Sequence, residues 1–100
     1  MSKKTSNPEP LFTRGEVAEV LNVTPLTVRN RENSGKYPEP NRDLNNYRVY
    51  SLNDLLNLQV LTYGSYDARP IISVLFDKGY RDHKELAEII DGALAKRKGV

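Results

Sequence analysis

The stretch LNVTPLTVRN, Leu21 to Asn30, forces two helices to meet almost end to end. Upstream, Thr13 and Glu16 have the spacing of a capping box, in which hydroxyl and carboxylate satisfy each other's backbone amides. Val17, Ala18, Val20 and Leu21 then supply one apolar face, and the run ends at Asn22. Thr24-Pro25 signals a new start. Threonine is a good cap, and proline at the first helical position gives up an amide that has no helical partner anyway. About three residues remain for the turn, too few to carry the helices far apart. The sequence therefore predicts helix, tight turn, helix. Leu11 and Phe12, just ahead of the cap, are expected to staple onto the first helix.

The second helix is expected from Pro25 to Asn33, stopped by Ser34-Gly35. At ~100° per residue, Val28 points inward, with Val23 beside it in the turn. Leu26 and Asn30 point away, and Thr27 and Arg29 flank them. Such a helix has one thin apolar edge and a broad polar front, so docking against the rest of the domain must hold it.

Beyond it, Pro38 and Pro40 exclude helix and favour extended chain. DLNN carries turn residues, and YRVY alternates in β-forming types. A two-stranded hairpin is predicted, roughly 37–42 against 46–50, with Tyr50 facing the core and Tyr47 outward. Ser51 and Asp54 repeat the box spacing ahead of LNDLLNLQVLTYG, the most apolar segment and the expected central helix, ended by Gly64. A fourth helix begins near Pro70 and stops at Gly79. Asp82 and Glu85 again have box spacing, ahead of a last helix whose stripe (Leu86, Ile89, Ile90, Ala93, Leu94) either closes the core or forms a dimer seam. Tyr63, Tyr66 and Tyr80 read as core or rim packing, and His83 as a surface residue near a helix start.

One hundred residues suit one domain, 11–100, behind an arm at 1–10 expected to be disordered. The fold class expected is mostly α. The formal charge is +2, and its distribution says more than its size. Residues 24–50 hold Arg29, Arg31, Lys36, Arg42 and Arg48 against Glu32, Glu39 and Asp43, whereas residues 51–100 balance at seven and seven. There is no cysteine and one histidine, which excludes disulfides and thiolate metal sites. No cofactor, metal or small-molecule effector is expected. No apolar run approaches the ~20 residues of a membrane span, and no signal-peptide core follows Lys3-Lys4. A soluble, cytoplasmic protein without membrane contact is expected.

FTRGEVAEVLNVTPLTVRNRENSGKYPEPNRDLNNYRVYSLNDL resembles the DNA-binding region of MerR-type regulators, over roughly residues 12–56. The resemblance rests on Thr13 and Gly15 to Ala18, on Leu21-Asn22-Val23, and on Thr27, Val28 and Arg29. It continues through Glu32 and Gly35, then Tyr47, Arg48, Tyr50, Ser51, Asp54 and Leu55. It implies a winged helix-turn-helix with a β-hairpin wing, about three further helices and double-stranded DNA as partner. Three departures limit it. Asn30 and Arg31 stand where the family usually has two aromatics, so base preference does not carry over. The long dimerisation helix is missing or shortened to 83–97, and the cysteines of metal-sensing members are absent. The resemblance implies DNA binding and not sensing.

The chemistry follows from groove geometry. A major groove admits a helix and shows a distinct donor and acceptor pattern for each base pair. Asn30 suits adenine, and Arg29 or Arg31 suits guanine, while Leu26 shares the front. Thr27 suits a thymine methyl or a phosphate. Arg42, Arg48 and the Tyr47 hydroxyl are placed for phosphates, as are Thr13 and Arg14 at a helix start. Against this, Arg29 can pair with Glu32 or Asn33, Asn30 can be merely solvated, Arg31 can pack its stem in place of an aromatic, and wing arginines can be simple solvated charges. The leading expectation is a sequence-specific transcriptional regulator. The alternatives are an excisionase, packaging or replication factor that bends DNA in cooperative arrays, and a protein-interaction module using the last helix. A homodimer or a cooperative array on DNA is expected. No constellation suits catalysis, so an enzyme is not expected.

Overall fold

The computed structural model describes residues 10–98, with side chains through Ala95. The arm expected at 1–10 lies outside the described residues except for Pro10, which is buried. Five helices and a small antiparallel sheet follow in the order β1 (Leu11–Phe12), α1 (Arg14–Leu21), α2 (Pro25–Asn33), β2 (Asn41–Arg42), β3 (Arg48–Ser51), α3 (Leu52–Tyr63), α4 (Ala68–Asp77) and α5 (His83–Lys98). Among the described residues, no helix is long and apolar enough to cross a membrane.

Capping chemistry sets the helix starts. The Thr13 hydroxyl accepts from Glu16 N at 3.2 Å, and Thr13 N donates to Glu16 Oε1 at 2.9 Å. Ser51 and Asp54 exchange the same pair of bonds at 3.0 Å each at the start of α3. Thr24 accepts from Thr27 N at 3.1 Å, with Pro25 next. The turn between α1 and α2 closes on Asn22, which takes the left-handed conformation at φ 58°, and Val23 N then donates to Ala18 O at 3.0 Å. Asparagine tolerates that conformation better than any side chain but glycine's absence of one. Asp67 caps α4, which begins two residues ahead of Pro70, and Asp82 Oδ1 accepts from Lys84 N at 2.9 Å at the start of α5.

One expectation is extended and another corrected. Leu11 and Phe12 do more than lead into α1, and Phe12 shares the buried core with Val17. They form a third strand, pairing Leu11 with Ser51 and Phe12 with Tyr50, so the sheet order is β1-β3-β2. The backbone of β3 was open on that side, and strand pairing satisfies it while still burying Phe12. The hairpin is also shorter than 37–42. Pro38 and Pro40 have no amide to give a ladder, and Tyr37 N turns back to Arg31 O at 3.1 Å. Only Asn41 and Arg42 pair with β3, opposite Val49 and Arg48.

One core binds all five helices. Val17, Leu21, Leu55, Leu56, Ile71 and Leu75 are its centre. Leu86, Ile90 and Ala93 join it with Ile89 and Leu94 partly buried, so within this chain the α5 stripe closes the core. Val60 and Leu61 of this most apolar helix lie exposed, and Gln59 takes an inward place. Its amide donates to Asp67 O at 2.7 Å and accepts from Asp67 N at 3.2 Å, which clips the α3–α4 connection shut. The Tyr63 hydroxyl donates to Leu21 O, an otherwise unpaired carbonyl at the end of α1.

Val28 is the one residue of α2 that is buried, and Leu26 on the same helix is 61% exposed. Val28→Ala is therefore expected to cost about 2 kcal/mol, and Leu26→Ala less than about 0.5 kcal/mol. Urea unfolding of the two variants checks this contrast.

Candidate nucleic-acid interface

Glu32 lies near the end of α2, about 40° around the helix from Val28, and so faces inward. Its side chain is 5% exposed and receives Arg14 Nη2 at 2.7 Å. Its other oxygen accepts from the Tyr50 hydroxyl. One carboxylate thus ties together α1, α2 and β3. Burial and the neighbouring Glu32 push Tyr50 up to about 12. Burial is the largest single influence on Arg14 and works against its charge, but Glu32 and Tyr50 together outweigh it, and the guanidinium holds its proton more tightly than usual. Arg14 Nε is buried without a hydrogen-bond partner, a cost that the ion pair offsets.

Arg31 falls on the other side of Val28, about 60° away. It donates to the Tyr37 hydroxyl at 2.8 Å, and its guanidinium sits 5.6 Å from that ring's centre. Tyr37 in turn bonds Thr62 on α3. These contacts give two of the candidates partners within the chain. Arg14 is not a free donor at a helix start, because Glu32 holds it. Arg31 does not project from the front, because its turn of the helix places it over buried Tyr37. The stem-packing alternative describes it better.

Thr27 is half-buried and its hydroxyl lies 2.9 Å from that of Thr24, so it is engaged in the cap. Thr13 is exposed, but its amide is taken by Glu16. The remaining polar groups of α2 are unclaimed. Arg29, Asn30 and Asn33 are exposed, and none of their side chains has a partner among the described residues. With Leu26 they make a continuous outer face. Asn33 was not singled out from the sequence, although the helical period places it about 20° from Leu26.

The β2–β3 hairpin projects a second basic group. Arg42 and Arg48 stand directly opposite each other, a like-charge pairing that strands ordinarily avoid. Neither forms an ion pair among the described residues. Arg42 Nη1 donates to Asn46 O at 3.0 Å across the turn. Tyr47, just ahead of β3, is 70% exposed. Tyr50, three residues on, is buried.

A separate cleft of about 610 Å³ is lined by Glu19, Asn22, Gln59, Tyr63, Asp67 and Arg69, among others. Its buried amide, Gln59, is fully paired with the Asp67 backbone, and the Asp67 carboxylate is paired with Arg69 at 3.0 Å. That leaves little chemistry aimed into the space. No protein-family model matches the chain, and no curated protein is significantly similar to it.

The Glu32 bridge generates a stability test with a pH signature. Tyr50→Phe removes a hydrogen bond to a buried carboxylate and is expected to cost about 2 kcal/mol. Because folding raises the Tyr50 pKa, its contribution is complete below the unfolded value of about 10 and is lost as pH climbs toward 12. Unfolding titrations from pH 9 to 12 should show a steeper fall for the wild type than for Tyr50→Phe. Glu32→Ala, which strands Arg14, is expected to cost more, about 3 kcal/mol or above.

Proposed function

We propose that the chain is a sequence-specific double-stranded DNA-binding protein, a winged helix-turn-helix of the MerR type acting in transcriptional regulation. In this reading α2 enters the major groove and the β2–β3 hairpin is the wing, resting on the phosphate backbone. The observation that carries it is the division of labour around α2. Glu32, Arg31 and Thr27 are committed to the fold, while Arg29, Asn30 and Asn33 are exposed without a partner among the described residues. An exposed face of amide and guanidinium groups matches base edges, since Asn pairs bidentately with adenine and Arg with guanine.

The hairpin supports the same reading. Two arginines facing each other across a ladder repel, and a phosphate between them turns that repulsion into attraction. Such contacts set register and orientation without reading sequence. The charge excess of residues 24–50 falls on these two elements.

Selection from random duplexes is expected to enrich one motif, and enrichment of none would overturn sequence-specific recognition. Affinity should fall steeply with salt as counterions leave. Arg48→Ala should weaken every duplex about equally and flatten that salt dependence by ~1. Asn30→Ala should instead relax preference at one base position, a loss of ~1–3 kcal/mol confined to the preferred base. Fluorescence anisotropy on matched and mismatched duplexes separates the two patterns. A ladder of bands on direct repeats would move the biological role from regulator to a cooperative DNA-bending factor.

A further inference from the structure

The most apolar helix leaves part of its apolar surface outside the core. Ten large apolar side chains are exposed among the described residues, and four of them fall between Val60 and Tyr66. Leu61 is 57% exposed and Tyr63 59%. By the helical period Val60 and Leu61 straddle Asn57, and Tyr63 lies about 60° beyond Val60. Together they cover the outer side of the C-terminal half of α3, opposite buried Leu55 and Gln59. The Tyr63 ring is also fixed, because its hydroxyl is tied to Leu21 O. A ring already held in place loses little freedom when a partner covers it.

The two ends of this face carry opposite charge. Tyr63 borders the cleft of about 610 Å³ together with Glu19, Asp67 and Arg69. Arg69 is engaged with Asp67, which leaves the charge of Glu19 unanswered. Leu61 borders a second cleft, of about 240 Å³, whose other walls are Arg31, Lys36, Tyr37 and Thr62. That cleft holds two cations and no acid. Glu19 and Lys36 are exposed, and neither side chain has a partner among the described residues. The order across the face is thus acid, apolar strip, base.

A face of this kind is complementary to itself. A second copy turned over about an axis through the middle of the strip sets each Glu19 against the other copy's Lys36, and apolar strip against apolar strip. That is the condition a two-fold interface must meet. Other apolar groups offer no comparable face. The α5 stripe is in the core, Arg81 lies over the Phe76 ring of α4 at 4.4 Å, and Leu26 belongs to the outer face of α2. We infer that the chain forms a two-fold dimer through the C-terminal half of α3, with Val60, Leu61 and Tyr63 at its centre and Glu19–Lys36 pairs at its two edges. The pairing goes beyond the DNA-binding reading and does not depend on it, since Leu26, Arg29, Asn30 and Asn33 line neither cleft.

Sedimentation equilibrium of the full chain without DNA tests this. The wild type is expected to reach the mass of two chains at concentrations up to about 0.1 mM, and to stop there. Leu61→Asp should raise the dissociation constant about 30-fold or more. Glu19→Lys and Lys36→Glu should each weaken pairing about tenfold, because each sets like charges together at both edges. An equimolar mixture of those two variants should pair as the wild type does, since each edge then joins an acid to a base again. Circular dichroism should show all three variants folded, as the three positions are exposed. If Leu61→Asp unfolds the chain, the charge variants and their mixture decide alone. A wild type that stays at the mass of one chain overturns the dimer, and a mass that climbs past two chains overturns the two-fold axis. Charge variants that pair as the wild type does, or a mixture that regains nothing, overturn the assignment of this face.

Discussion

The Glu32 carboxylate is the constraint around which this fold is organised. It takes a guanidinium from α1 and a hydroxyl from β3 while belonging to α2. The helix it sits on buries a single valine, too little apolar area to fix a nine-residue helix in orientation. The carboxylate supplies the missing direction. Its two oxygens set the rotation of α2 about its axis, and with it the identity of the outward residues. Arg31 on Tyr37 pins the opposite flank, and Tyr37 passes that contact to α3 through Thr62. An α2 held on both flanks of Val28 presents one face to solvent and no other.

Much of this was legible in the sequence because local rules carry it. The caps at Thr13, Thr24, Ser51 and Asp82 announce themselves by residue type and spacing, and the helix starts follow. The core of α1 and α3 follows from apolar period. What escaped had a tertiary cause. The strand at Leu11–Phe12 exists only because β3 has an open edge beside it, and nothing local to Leu11 and Phe12 announces the pairing. Nothing local marks Gln59 as inward; the α3–α4 connection needs its amide. The intramolecular partners of Arg14 and Arg31 escaped for a related reason. Charge was taken as a sign of solvent, when the helical period already set Arg31 and Glu32 on either side of Val28. Applying the period to polar as well as apolar positions recovers both, and adds Asn33 to the front.

The same division explains how a basic surface is kept without weakening the fold. Basic groups that neighbour the core have acids or rings to answer them: Arg14 has Glu32, Lys78 has Glu16, and Arg31 has Tyr37. Those on the front of α2 and on the hairpin have none. The unanswered charges are exposed, where water screens them cheaply, and the buried one is paired.

Anchoring α2 through one valine and two inward polar groups has an evolutionary corollary. Positions 26, 29, 30 and 33 bear almost no responsibility for folding, so their side chains are free to drift. A lineage built on this scaffold can change what the outer face prefers without first finding a compensating change in the core. Under the DNA-binding reading proposed above, retargeting then becomes a matter of a few surface codons, and the cost of exploring new specificities is set by selection on binding alone.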